Sequence, residues 1–221
     1  MSPDIASALA LSLRVAFLAT ALNFVIGVPL AWLLARRSFP GKTLVDLLVT
    51  LPLVLPPTVT GYYLIVLLGR RGWLGAPIYA ATGWSIAFTW WAAVVAATVM
   101  ALPLLVRTAR AAIESVDPDL EKAAFTLGRP VWRTALEVTL PLARNGILAG
   151  LVLAFARALG EFGATLMLAG NIPGKTATVP LAIYSAVQTG EASEALVLVG
   201  ALTALSLAVL LVAGRLAGRA A

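Results

Sequence analysis

Long segments without a single charged residue constrain this chain more than any other feature. Four such runs occur, at residues 15–35, 47–69, 72–106 and 195–214. Each is long enough to cross the hydrocarbon core of a bilayer as a helix, which needs about 20 residues. Within hydrocarbon the backbone must pair internally, so the alternative is a closed barrel, whose strands are alternating segments of about ten residues. The uninterrupted runs therefore predict an all-α membrane protein.

Five spans are predicted once the run at 72–106 is trimmed and a less apolar segment near residue 150 is added. The first dozen residues of that run are rich in glycine and include a proline, which is typical of an external loop. The predicted spans are residues 13–35, 44–69, 84–107, 143–169 and 195–214. We expect a single five-span helical bundle over residues 1–221, with the first run retained as a span because it lacks a basic leader and a cleavage pattern.

The distribution of the 16 Lys and Arg residues predicts the orientation of the chain. With the N-terminus outside, eleven of them lie on the inner side, namely Arg36, Arg37, Lys42, Arg107, Arg110, Lys122, Arg129, Arg133, Arg144, Arg215 and Arg219. Three lie outside, namely Arg70, Arg71 and Lys175. Cationic loops favour the cytoplasm, so the N-terminus is expected outside and the C-terminus inside. This bias also accounts for the net charge of +6 without a nucleic-acid partner.

The absence of cysteine and histidine excludes several classes of function. Disulfides, thiolate nucleophiles, imidazole catalysis and the usual zinc sites all require one of these residues. The chain also lacks the glycine-rich phosphate loop G-x-x-x-x-G-K-S/T, so we do not expect it to hydrolyse ATP. We expect no metal, no cofactor and no enzymatic activity.

The inner loop between the third and fourth predicted spans contains a predicted amphipathic helix at residues 117–128. Asp117 suits the N-cap, Pro118 the first turn, and Gly128 followed by Pro130 a helix end. Spacing of i, i+3, i+4 and i+7 places Leu120, Ala123, Ala124 and Leu127 on one apolar stripe. A helix this short is marginal alone in water, so it must dock, either on the bilayer or its own bundle or on a partner protein. The small alanines and the flanking charges favour a protein.

The same loop resembles the signature loop of the permease subunits of ABC importers. The resemblance rests on A-A-F-T-L-G at 123–128 and V-T-L-P at 138–141, with Lys122 in place of the family's usual Glu and Val138 where Ile is common. It extends through F-P-G-K-T-L (39–44), L-P-L-V-L-P-P-T-V-T-G-Y (51–62), A-R-A-L-G-E-F-G-A-T (156–165) and G-N-I-P-G-K-T (170–176). Across these stretches the chain is most similar to molybdate permeases, and sulfate permeases resemble parts of them.

The resemblance implies a five-span permease of the type I ABC importer kind in the inner membrane of a bacterium. It would carry molybdate, with tungstate as a close analogue, and work with a second copy of itself, two ATPase subunits and a periplasmic binding protein. The loop helix would then be the coupling helix that contacts the ATPase, through Asp117, Leu120, Glu121, Ala123, Ala124, Leu127 and Gly128. The alternatives are a sulfate or thiosulfate permease, an ATPase-independent transporter or channel, and an intramembrane enzyme.

Two further features bear on the substrate path. Pro52, Pro56 and Pro57 predict a helix break near Leu55, either an ordinary kink or part of the path. On the second interpretation, the path residues would be Pro56, Pro57, Thr58 and Thr60.

The second feature is a pair of opposite charges, Arg157 and Glu161, within the fourth predicted span. Their i, i+4 spacing predicts a structural ion pair inside the bundle, with Gly160 and Gly163 allowing close backbone approach. The alternative is that Arg157 binds the anion directly.

Overall fold

A computed structural model describes residues 5–218, with side chains described for residues 5–211, and these residues form helices and connecting loops without strands. In chain order the helices are α1 (Ile5–Arg36), α2 (Lys42–Val54), α3 (Pro57–Leu68), α4 (Gly75–Thr82), α5 (Trp90–Glu114), α6 (Pro118–Thr126), α7 (Val131–Thr134), α8 (Leu140–Leu142), α9 (Arg144–Leu159), α10 (Gly163–Ala169), α11 (Val179–Thr189) and α12 (Ala192–Gly218). A π-helical turn, Ala135–Thr139, joins α7 to α8.

Helix α5 is the centre of the bundle, packed against α1 on one side and α9 on another. Its buried surface is built largely of alanines that have no solvent exposure: Ala92, Ala93, Ala96, Ala97, Ala101 and Ala109. The neighbouring helices turn glycines towards it, because a Cβ added to Gly27 of α1 or Gly150 of α9 would lie 3.0 Å from Leu105. Small residues on both sides let helix backbones approach closely, which is how helices associate where lipid is as apolar as the side chains.

Three helices are long and apolar enough to cross a membrane, namely α1, α5 and the part of α12 up to Leu211. A fourth span is possible if the segments Val131–Leu142 and Arg144–Leu159, which meet at 76°, act together. Length and composition thus support three or four spans, and the count of five stays a prediction. The predicted span 84–107 starts too early, since residues 84–89 form a loop and α5 begins at Trp90. The segment predicted as an external loop before it contains α4.

The break predicted near Leu55 is present. Helix α2 ends at Val54, Leu55 and Pro56 are extended, and Pro57 opens α3. A proline disfavours helical backbone at the residue before it, which accounts for the extended Leu55 and Pro56. The fourth predicted span, by contrast, is not the single helix expected at 143–169: Gly160, Glu161 and Phe162 separate α9 from α10. In this second break the carboxylate of Glu161 accepts the N–H of Ala164 and so caps α10.

The second halves of the two broken segments pack against each other through glycines. A Cβ added to Gly61 of α3 would lie 2.8 Å from the Cα of Ala164 in α10, and one added to Gly163 would lie 2.9 Å from Pro57. The predicted close approach at Gly163 is therefore observed. At Gly160 it is not, because an added Cβ there would meet only a carbonyl of its own helix at 3.8 Å.

Replacing Gly61 by alanine is expected to destabilise the protein, because the new methyl group would press on the backbone of Ala164. Forcing a methyl into a tight interface costs about 1–3 kcal/mol. The measurement is the apparent unfolding temperature in mild detergent. Gly200→Ala is the matched control, since Gly200 lies in α12 with nothing within 4 Å of its added Cβ. Equal unfolding temperatures for the two variants would contradict the close α3–α10 contact.

Candidate functional site

The residues predicted to line a path at the first break do not share one environment. Pro56, Pro57 and Thr58 are exposed at the start of α3, whereas Thr60 is 6% exposed. Within the described part of the chain, the hydroxyl of Thr60 has no hydrogen-bond partner. Thr98 of α5, by contrast, donates to the carbonyl four residues earlier at 2.7 Å. Thr58 is therefore accessible, whereas Thr60, about half a helical turn further on, has a buried hydroxyl without a partner among the described residues.

Arg157 and Glu161 form the predicted ion pair at the second break. Nη2 of Arg157 lies 2.7 Å from Oε2 of Glu161, whose side chain is 2% exposed. The other carboxylate oxygen accepts the N–H of Ala164 at 2.8 Å, in the first turn of α10. Glu161 therefore occupies the partially positive end of that helix, where a negative charge is stabilised. The pair joins the end of α9 to the break, so it is not on one helix face as the i, i+4 spacing suggested.

This arrangement bears on the alternative in which Arg157 binds an anion. The charge of Arg157 is already balanced by a buried carboxylate at hydrogen-bonding distance. An oxyanion at the same place would have to displace Glu161 or lie beside its negative charge. The geometry thus favours a structural role for the pair.

The predicted loop helix forms as α6, with the expected signals at both ends. The Asp117 side chain accepts the N–H of Asp119 at 2.9 Å. At the other end Gly128 has a φ of +76°, and the N–H groups of Gly128 and Arg129 bond back to Phe125 and Ala124. This pair of bonds is a Schellman motif, which satisfies the last carbonyls of the helix. On the exposed side, a hydrogen bond and the charge of Lys122 lower the pKa of Asp119.

The seven residues predicted to contact an ATPase divide between two faces of this segment. Leu120, Ala123, Leu127 and Gly128 are exposed, and Leu127 reaches 82%. Ala124 is buried, and Glu121 turns towards the bundle. Asp117 serves as the cap. The apolar stripe is therefore only partly covered by the chain's own helices.

Glu121 connects α6 to two distant segments. Its Oε1 accepts from Nε of Arg36, at the end of α1, at 2.9 Å, and from the hydroxyl of Thr139 in the π-helical turn at 2.6 Å. Arg36 also donates to the carbonyl of Val116, just before α6, at 2.7 Å. Both charged side chains are 14% exposed, so this anchor is largely shielded from water. No local pattern pointed to Arg36 or Thr139, because they lie 85 and 18 residues from Glu121.

A family profile described as "Binding-protein-dependent transport system inner membrane component" matches residues 27–219. The chain belongs to this family. Its members are multi-pass permeases of the inner membrane, which agrees with the apolar helices of this chain.

Individual relatives place the chain within the family. The molybdenum transport system permease protein ModB of Escherichia coli (strain K12) is 52% identical over 190 residues, covering 85% of this chain and 83% of that protein. ModB of Haemophilus influenzae is 50% identical over 188 residues, covering 85% and 82%. The sulfate transport system permease protein CysT of E. coli is 36% identical over 209 residues, covering 95% and 75%. The resemblance to molybdate permeases is therefore confirmed, with sulfate permeases more distant.

Solved structures confirm the fold class. The MetNI methionine ABC transporter matches with a TM-score of 0.74 and 19% identity over 98% of this chain and 96% of that chain. A bacterial ABC transporter for alginate import matches with a TM-score of 0.76 and 17% identity, covering 96% and 78%. The chain thus has the all-α fold of ABC importer permeases.

The Arg157–Glu161 pair can be tested by removing its charges singly and together. Either Arg157→Gln or Glu161→Gln alone leaves one unpaired charge in the bundle, which is costly. The double variant should therefore unfold at a higher temperature than at least one single variant. The exposed pair Arg129 and Glu137, at 3.5 Å, provides a control in which the same changes should have little effect. A double variant that unfolds at the wild-type temperature, yet transports nothing, would instead assign anion binding to Arg157.

Proposed function

We propose that this chain is the membrane-spanning permease subunit of an ATP-binding cassette importer for molybdate, with tungstate as a close analogue. The observation that carries the proposal is the 52% identity to ModB of E. coli over most of both chains. The sulfate permeases, at 35–36% identity, supply the second candidate substrate, sulfate or thiosulfate. All of these substrates are tetrahedral oxyanions or close relatives of one, so the chemistry required of the path is similar.

ATP hydrolysis in this proposal belongs to a separate subunit. The chain has no phosphate loop of the P-loop type, and no histidine or cysteine. The complete importer would contain two copies of this chain, two ATPase subunits and a periplasmic binding protein that delivers the oxyanion. Support for a second copy comes from α2, which has no buried residue and is therefore available to lipid or to another helix.

Reconstitution tests both the class and the substrate. The chain is placed in liposomes with its ATPase, and ATP hydrolysis is measured with the binding protein loaded in turn with molybdate, tungstate or sulfate. We expect molybdate-loaded protein to stimulate hydrolysis and drive accumulation of molybdate in the lumen. Stimulation by sulfate-loaded protein alone would identify the chain as a sulfate permease. Transport that persists without the ATPase would identify it as an ATPase-independent transporter.

The exposed stripe of α6 is the surface that this proposal assigns to the ATPase. A short helix with Leu127 and Leu120 largely uncovered needs a partner to bury them. The anchor from Glu121 to Arg36 and Thr139 would carry a displacement of α6 into α1 and the segment that leads to α9. Because the ATPase is cytoplasmic, this docking also implies an external N-terminus and a cytoplasmic C-terminus. Arg215 and Arg219, which contribute to that prediction, lie outside the residues whose side chains are described.

Substituting valine for Gly128 should uncouple transport from hydrolysis or weaken ATPase binding, because a β-branched residue is strained at a φ of +76° and would distort the end of α6. Gly190→Val is a closely matched control. Gly190 ends α11 at a φ of +78° with the same pair of backward hydrogen bonds, so the local cost is similar but the position is elsewhere.

The measurements are ATPase co-purification and the number of anions transported per ATP hydrolysed. Since the chain contains no cysteine, a single Cys placed at Leu127 can be cross-linked specifically to the ATPase in cells. Equal behaviour of the Gly128 and Gly190 variants, or a cross-link to nothing but lipid, would refute both the docking surface and the orientation derived from it.

A further inference from the structure

A cavity of about 330 Å³ lies between α3, α10 and the loop that leads into α5. Ile65 of α3 and Met167 and Leu168 of α10 form its apolar walls. Its polar lining groups include Arg70, Tyr79 and Ser85. Ligand sites in proteins are typically apolar cavities of about 300–1,000 Å³ with a few converging polar groups. The loop that lines the cavity comes directly before α5 in the chain, and α6 follows α5. The cavity and α6 therefore lie at opposite ends of α5.

Arg70 contacts an aromatic ring and has no carboxylate partner among the described residues. Its guanidinium carbon lies 4.0 Å from the centre of the Tyr79 ring, and Nη2 donates to the Tyr79 hydroxyl. Within the described part of the chain, no carboxylate lies within 4 Å of it, whereas Arg36, Arg110, Arg129 and Arg157 each have one. Arg14, Arg37 and Arg133 also contact a ring without a carboxylate within 4 Å among the described residues. The cavity that Arg37 shares with Arg36 contains Glu121, whereas Arg70 lines a cavity together with the hydroxyl of Ser85. The positive charge of Arg70 is therefore not balanced by the residues around it.

Ser85 supplies an independent observation. Its hydroxyl is shielded from solvent and has no hydrogen-bond partner among the described residues. A shielded hydroxyl without a partner is unfavourable, since it loses its hydrogen bonds to water. A ligand oxygen in the cavity would provide the missing acceptor.

The backbone beside the cavity is strained. Phe88 has a φ of +62°, which is unusual for a bulky residue. Its N–H donates to the carbonyl of Leu168 at 3.1 Å, and its ring packs where a Cβ on Gly170 would lie at 3.1 Å. Strained residues persist where the surrounding structure fixes them, and they cluster at ligand clamps. Phe88 thus holds the loop against α10 and shapes the cavity wall.

We infer that Arg70, Tyr79 and Ser85 form a binding site for a tetrahedral oxyanion group. A guanidinium presents its N–H donors as a planar fork that matches two oxygens of such a group. The hydroxyls of Ser85 and Tyr79 donate to the remaining oxygens, and the apolar walls strengthen each bond by lowering the local dielectric. Arg70 is free to bind an anion because no carboxylate among the described residues pairs with it, whereas Arg157 is already paired with Glu161.

Two sources supply this chemistry. One is the transported oxyanion, in which case the site is a station near one end of the path, and this assignment rests on the proposed function. The other is the phosphate of a phospholipid whose acyl chain lies on the apolar walls.

The test uses the full chain assembled with its ATPase in lipid nanodiscs, with two readouts. Binding of radiolabelled molybdate is measured at equilibrium, and the phospholipids that remain bound are counted by native mass spectrometry. Arg70→Gln is compared with Lys175→Gln, which removes an exposed cation that does not line the cavity. We expect Arg70→Gln to weaken molybdate binding at least about tenfold, as for loss of a hydrogen bond to a charged group, and Lys175→Gln to leave it unchanged.

A phospholipid source gives a different result: the tightly held lipid is lost in Arg70→Gln and kept in Lys175→Gln, while molybdate binding is equal in both. If Arg70→Gln fails to assemble, Tyr79→Phe with Ser85→Ala keeps the cation and should weaken the same readout about two- to tenfold. Unchanged binding of both molybdate and lipid in these variants would overturn the site. Wild-type protein that transports molybdate normally in that case would leave the proposed function intact, whereas wild-type protein without such transport would refute the function itself.

Discussion

Close packing of small residues around α5 is the constraint on which the rest of the structure depends. Apolar side chains gain little by leaving lipid for a neighbouring helix, so the bundle relies on contact between surfaces that fit. The alanine face of α5 lets α1 and α9 approach from two sides, where Gly27 and Gly150 complete the fit. Because α5 is fixed in this way, the segments attached to its two ends are fixed in position as well. The loop with the cavity enters at one end, and α6 leaves at the other.

The two helix breaks have different causes and one result. Prolines make the break between α2 and α3, since Pro56 and Pro57 prevent a continuous helix. Between α9 and α10 the helix instead ends at Leu159, and the carboxylate of Glu161 caps the next helix by accepting the N–H of Ala164. Both α3 and α10 are therefore short helices, and Gly61 brings them into contact. In a membrane such interruptions are tolerated where they are packed by protein or line a path. Here the two short helices that follow the interruptions provide two walls of the cavity.

Sequence reasoning succeeded where the cause was local and missed what depends on distant partners. The break at Leu55, the cap at Asp117 and the turn at Gly128 each follow from residues within a few positions, and each was predicted. The Arg157–Glu161 pair was also predicted, although the helix supposed to carry it is interrupted. No local sequence pattern predicts that Glu121 contacts Arg36 at the end of α1, because that contact forms only once the whole bundle has folded. The count of five spans was derived from the length of the apolar segments. In the structure these segments are interrupted, and α2, α3 and α10 are each too short to cross a membrane alone.

The π-helical turn at Ala135–Thr139 has a consequence for comparing related chains. The N–H of Leu140 bonds to the carbonyl of Ala135, five residues back, so the turn holds one residue more than an α-helical turn would. Each residue of an α-helix advances by about 100° around the axis, and one surplus residue therefore rotates everything on one side of the turn relative to the other. A relative that lacked one residue here would form an ordinary helix and direct a different side chain at the position of Thr139. An alignment that places its gap elsewhere in this loop would then equate residues whose side chains point about 100° apart around the helix axis.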